Sequence, residues 1–279
     1  MTELTNLGKM LLIVPHQDDE LLLAAGVIVR AVRQGLPLHV CMVTNGDYGC
    51  ADHTVGHLRL RETLNGLEYL GLSPDNVTFL GYADTGMPES ESFLCKLWAA
   101  EDDDALVPSH CGTETYALPD KPSWHKQRFG TEASYCRRSL REDLRTLLDE
   151  LNPDTIFTTA LNDLHGDHSA LCRFVLDDVR RSGRSTRVLQ GMVHSPDGDE
   201  RWPLRNDGGA LTIPHGVDAA RVVRFPLPDD MWDDVFEEHR KAHALRCHVT
   251  AMKPDAVDFL GAFVKADELF EAEKEQDHA

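Results

Sequence analysis

Two short clusters in this sequence hold the residue types that bind a metal ion and activate water. The first is His16-Gln17-Asp18-Asp19-Glu20, directly behind an apolar run at 11–14 and Pro15. The second is Asp163-Leu164-His165-Gly166-Asp167-His168, shortly behind the run at 155–160. An imidazole and a carboxylate three residues apart can share one ion. His16 and Asp19 together with His168 would give a facial set of two nitrogens and one oxygen. Three protein ligands and one open position are the pattern of a catalytic zinc rather than a structural one. Ligation needs Asp19 ionised and both imidazoles neutral. Asp18 and His165 then remain beside the ion. A carboxylate there can act as general base on water whose pKa the metal lowers to about 7. A protonated histidine there could stabilise an oxyanion or protonate a leaving amine. This is equipment for hydrolysing an amide. The competing reading of the first cluster alone is a polar loop after a strand.

Such clusters meet only if the fold brings two strand ends together. Short β-like runs at 11–14, 38–44, 77–80 and 155–160 alternate with amphipathic helical runs at 21–34, 57–70, 135–151 and 169–181. Gly35, Gly71 and Pro153 supply stop signals. This β-α rhythm predicts an α/β fold, a Rossmann-like three-layer sandwich whose mostly parallel sheet is covered by helices on both faces. Folds of this kind place their chemistry at the C-terminal ends of the strands. Residues 86–130 break the rhythm and read as a long loop insertion able to shape a pocket. Within it, Trp124 offers either local packing or a sugar-stacking face. Residues 190–222 read as strands and loops at a sheet edge, 231–252 as helical, and 270–279 as a charged, frayed tail. The whole chain, 1–279, reads as one domain.

The balance of 47 acidic against 28 basic residues, a net charge of −19, disfavours nucleic acid and anionic lipid as partners. No stretch approaches the roughly 18 apolar residues of a membrane span, and residues 1–10 lack the features of a secretory signal. A cytoplasmic protein acting on a small molecule is the default expectation. The seven cysteines are odd in number and contain no CxxC pair, which disfavours a zinc ribbon and a disulfide framework. Cys50 and Cys111 sit in polar, histidine-bearing loops, without a clear activated-thiol arrangement. No GxGxxG follows the first strand, so a nucleotide-binding reading is the weakest.

The motif Pro15-His16-Gln17-Asp18-Asp19-Glu20 resembles the signature of the LmbE-like, or PIG-L, zinc-dependent N-deacetylases, and His165-Gly166-Asp167-His168 is similar to that family's second motif. Arg59-Leu60-Arg61-Glu62 with Leu70-Gly71, Asp84-Thr85-Gly86-Met87, and Phe263-Val264-Lys265 with Glu268-Leu269-Phe270 resemble further family segments. The resemblance implies metal ligation by His16, Asp19 and His168, with Asp18 as base and His165 as the oxyanion or acid residue. It implies Asp167 as a support for a histidine tautomer. It also implies Arg59 at the sugar or the charge network, and Asp84 at a sugar hydroxyl. The implied substrate is an N-acetylated amino sugar of the N-acetylglucosamine type, and the implied cofactor is Zn²⁺. Such a donor set also accepts iron, cobalt or nickel. Relatives often form homo-oligomers. Two departures stand out: Gly166 replaces the usual proline, and Asp163 stands where some members carry a tyrosine. Alternative readings are an amidohydrolase for a non-sugar amide or another N-acyl group, and a metal- or carbohydrate-binding protein without turnover.

Overall fold

The computed structural model describes residues 4–205 and 208–273. β1 (Met10–Val14) leads into α1 (Asp19–Gln34), β2 (Leu38–Thr44), α2 (Thr54–Tyr69) and β3 (Val77–Tyr82). Two short helices, α3 (Phe93–Ala99) and α4 (Trp124–Phe129), interrupt the insertion. Then come α5 (Arg137–Leu151), β4 (Thr155–Thr159), α6 (Gly166–Ser182), β5 (Arg187–Gly191) and β6 (Val222–Pro226). The two-residue strands β7 (Trp232–Asp233) and β8 (Glu238–His239), α7 (Arg240–Arg246), α8 (Val257–Gly261) and β9 (Asp267–Ala272) follow. One seven-stranded sheet has the order β3-β2-β1-β4-β5-β9-β6, while β7 and β8 pair separately. From β3 to β5 all neighbours are parallel; β9 is antiparallel to both β5 and β6.

β1 shows why the apolar runs become central strands. Side chains alternate across a sheet. Met10, Leu12 and Val14 enter one apolar layer with α1, α2 and α7, while Leu11 and Ile13 enter another with α3, α5 and α6. A strand apolar on both faces suits a parallel sheet covered on both sides. Each fully buried leucine there contributes about 1.5–3 kcal/mol relative to exposure.

α1 has a break at Ala24 (φ −141°, ψ 21°) that would leave backbone groups unpaired. Two distant residues satisfy them. The Glu268 carboxylate on β9 accepts the N–H groups of Gly26 (2.8 Å) and Val27 (3.0 Å), and Lys241 Nζ on α7 donates to the Leu22 carbonyl (2.8 Å). Lys241 and Glu268 pair at 3.1 Å, both fully buried. A buried pair gives little net stability by itself, but removing one partner strands the other. Here both also repair a helix kink.

Two expectations are corrected. Residues 231–252 are not one helix. Asp233 Oδ1 accepts the N–H groups of Val235 (3.0 Å) and Phe236 (3.3 Å), and Glu237 takes a positive φ of 53°, so the chain turns into a hairpin before α7. The tail expected to fray from 270 begins inside β9, with Phe270 fully buried; residues 274–279 lie outside the described residues. Of the two readings of Trp124, local packing is the one seen: the ring is buried in the apolar layer, and its Nε1 donates to Thr146 Oγ1 at 2.9 Å. Among the described residues, no helix is long and apolar enough to cross a membrane.

Candidate active site

β1 and β4 are neighbours, but α1 leaves one toward one apolar layer and α6 leaves the other toward the opposite layer. Such divergence opens a crevice at the strand ends. His16 and Asp19 enter it behind β1, and His165 and His168 enter it behind β4. His16 Nδ1 lies 3.0 Å from His168 Nε2 and 3.4 Å from Asp19 Oδ2, and His168 Nε2 lies 3.2 Å from the same oxygen. Tetrahedral ligands bonded to zinc at about 2.0–2.1 Å stand roughly 3.3 Å apart. The three atoms therefore already form a triangle that fits one face of such an ion. A His165 nitrogen also lies within 4.8 Å of the other two imidazoles' ligand atoms.

The far side of each imidazole faces a carboxylate. His16 Nε2 is 3.0 Å from Asp84 Oδ1 and 3.3 Å from Asp167 Oδ2. His168 Nδ1 is 3.1 Å from Asp163 Oδ2. A metal-binding histidine usually has such a partner, which fixes its tautomer and raises its basicity. Burial alone would lower the basicity of both rings. The carboxylates outweigh it, holding His16 well above its ordinary pKa and His168 at about 10. Burial would raise the Asp19 pKa, but His168 and His16 bring it well below the usual range. This field favours positive charge at the centre of the triangle.

Asp18, next to Asp19 in the chain, has its carboxyl pushed up to about 6, chiefly by burial and against the pull of Arg59. Its backbone has φ 117° and ψ −31°, a region that favours glycine. A non-glycine residue held there costs about 1–3 kcal/mol. The conformation is imposed from both ends: the Asp18 carbonyl accepts the N–H groups of Leu21 and Leu22, and its own N–H donates to Glu20 Oε2 at 2.9 Å. Glu20 is thus the local helix-start partner expected from its position, while its other oxygen faces His248 Nε2 at 3.0 Å.

Arg59, not Arg61, reaches the site. Its Nη2 donates to the Gln17 carbonyl (2.7 Å) and lies 3.5 Å from Asp18 Oδ2; its Nη1 donates to the Gly46 carbonyl (3.2 Å) and lies 3.7 Å from Asp84 Oδ2. Arg61 pairs with Asp120 at the surface. Asp84, read from the sequence as a sugar contact, is buried and committed to His16 and Arg59. Burial, together with the neighbouring His16, His168 and His194, lowers the His165 pKa, so the ring is neutral rather than protonated. Its Nδ1 accepts the Asp167 N–H at 3.3 Å, which leaves the proton on Nε2 as a free donor.

Asp167 anchors the insertion. Its Oδ1 accepts from Ser92 Oγ (2.5 Å) and the Leu94 N–H (3.0 Å), and its Oδ2 accepts from Thr85 Oγ1 (2.9 Å). Gly166 belongs to the same junction. Its N–H donates to the Met87 carbonyl at 2.8 Å, and an added Cβ would meet Ser92 Cβ at 2.5 Å. Proline would lose that donor. Sequence reasoning missed Asp163 as a hub: besides facing His168, it accepts the N–H groups of His165 (2.9 Å), Val193 (2.8 Å) and His194 (3.0 Å). The usable signal was a carboxylate five residues before a proposed ligand histidine. His248 and His194 carried no sequence signal strong enough to place them.

The description "PIG-L: GlcNAc-PI de-N-acetylase" belongs to the family model that matches residues 11–178, more than half of the 279. No curated protein matches the chain. Among solved structures, an N,N'-diacetylchitobiose deacetylase from Pyrococcus horikoshii is 18% identical, over 96% of this chain and 85% of that one, with a TM-score of 0.55. The zinc-inhibited form of a teicoplanin deacetylase is 17% identical, over 96% and 99%, with a TM-score of 0.56. The 4-carboxy-2-hydroxymuconate hydratase from Pseudomonas putida KT2440 is 14% identical, over 97% and 98%, with a TM-score of 0.52. At these identities the likeness is one of fold.

Proposed function

We propose that this chain, which belongs to the PIG-L family, is a metal-dependent N-deacetylase that cleaves an N-acetylated amino sugar of the N-acetylglucosamine type to acetate and a free amine. The observation that carries this reading is the triangle of His16 Nδ1, Asp19 Oδ2 and His168 Nε2. These three residues would hold the ion, Zn²⁺ in the first instance and Fe²⁺ or Co²⁺ as alternatives. When bound, a divalent metal supplies Lewis acidity that makes water nucleophilic near neutral pH and polarises a carbonyl.

The chain's own residues supply the rest. Asp18 takes a proton from the attacking water, and Arg59 holds that carboxylate in place. His165 donates Nε2–H to the oxygen that becomes negative as the acetyl carbon turns tetrahedral. Asp18 then returns the proton to the nitrogen, the C–N bond breaks and acetate leaves. Asp84, Asp163 and Asp167 fix the rings that meet the ion. The names of the chitobiose and teicoplanin deacetylases support a sugar-bearing substrate. The net charge of −19 supports a small molecule over nucleic acid as the substrate. A hydratase with the same fold means that the residues, not the fold, select amide hydrolysis.

The test is acetate release by metal-loaded protein across free, lipid-linked, thiol-linked and oligomeric N-acetylglucosamine compounds, with non-sugar N-acetyl and other N-acyl amides alongside. Turnover confined to the sugars supports the proposal. Turnover confined to non-sugar amides, or none with a fully loaded site, overturns it.

A further inference from the structure

Cys111, a thiol without a role in the chemistry above, belongs to a second group of metal-binding atoms. Asp47 follows β2 and is fully buried. Its Oδ2 accepts from Tyr116 Oη and from Cys111 Sγ, each at 2.7 Å. Its Oδ1 accepts the Asp84 N–H at 3.0 Å and lies 3.5 Å from His110 Nε2. That imidazole nitrogen also stands 2.7 Å from the Asp47 carbonyl oxygen. One ligand atom each from Asp47, His110 and Cys111 lies within 4.8 Å of the others. Among the described residues no lysine or arginine pairs with Asp47, although burying a carboxylate without a cation is costly. Burial and the Asp47 carboxylate push the Cys111 thiol up to about 12, so the group is not a nucleophilic thiolate at neutral pH. A coordinating cation reverses that, because it deprotonates the thiol outright.

We propose that Asp47, His110 and Cys111 hold a second divalent cation of the Zn²⁺ type, separate from the histidine cluster behind β1 and β4. The mixed sulfur, nitrogen and oxygen donors select zinc or cobalt over magnesium or calcium. On binding, the Cys111 S–H bond breaks and its proton passes to solvent. His110 gives up its Nε2–H hydrogen bond to the Asp47 carbonyl oxygen, takes up a proton on Nδ1 as Nε2 releases its own to solvent, and gives the Nε2 lone pair, while Asp47 gives a carboxylate oxygen. No electron is transferred. The ion ties the turn after β2 to the insertion. Because His110 is exposed and Cys111 half-buried, it can reach the site without opening the core.

The test uses the full chain loaded with Co²⁺ and dialysed. The histidine cluster offers no sulfur, so a thiolate-to-cobalt charge-transfer band reports the second site alone. The wild type is expected to show that band and to hold a second equivalent of metal. Cys111→Ser should lose both while keeping the first equivalent, and His110→Ala should weaken binding of the second. A wild type with one equivalent and no band overturns the proposal, as does a band that survives unchanged in Cys111→Ser.

Discussion

The two candidate metal sites lie close together in the fold yet are built differently. The cluster behind β1 and β4 hangs on strand ends and helix starts, and its imidazoles are backed by Asp84, Asp163 and Asp167. The group around Asp47 hangs on turns, has one carboxylate, and leaves His110 and Cys111 partly open. Rigid elements with a packed supporting shell hold reacting groups more accurately than loops do. The first site therefore suits chemistry, and the second suits holding an ion. The Asp84 N–H to Asp47 Oδ1 hydrogen bond joins them, but their donor residues are distinct, so each can be disturbed and the other watched.

The largest expected effect comes from His168→Ala. It should remove both the metal of the first site and the deacetylation, yet leave the Cys111-dependent cobalt band. Full first-site occupancy by elemental analysis would rule His168 out as a ligand. Next is Asp18→Ala, expected to keep the metal and lose on the order of 10²- to 10⁴-fold in kcat. Wild-type turnover by that variant would end the base assignment. A smaller change is expected for Asp163→Asn, which should cost about 10- to 100-fold in metal affinity at the first site, as loss of a supporting carboxylate does. Chelator competition measures it, and an unchanged affinity would reduce Asp163 to a backbone anchor. The smallest is Arg61→Ala, expected to leave turnover and Tm unchanged because its partner Asp120 is at the surface. A large loss there would mean that the assignment of Arg59 over Arg61 is mistaken.

The parts of this arrangement that the sequence made legible are those that depend on local pattern. Apolar runs ending in His/Asp clusters marked β1 and β4, and the β-α rhythm marked the parallel part of the sheet. What stayed hidden depends on distant partners. The pairing of Asp84 with His16 and Arg59 joins three segments far apart in sequence. Glu268 looked like part of a C-terminal segment, but its contacts are the N–H groups of Gly26 and Val27, more than 200 residues away in sequence. The segment 231–252 misled for a local reason. Its apolar residues mimic a helical stripe, but Asp233 captures two backbone N–H groups and turns the chain.

On the proposed mechanism, the backbone of Asp18 ties durability to turnover. Glycine at position 18 would relax a conformation that L side chains rarely adopt, and with it the proposed base would vanish. Under that mechanism, selection for heat tolerance alone would drift toward the glycine and yield a sturdier protein without its base. Any program to toughen this protein has to work around position 18 and find its gains elsewhere.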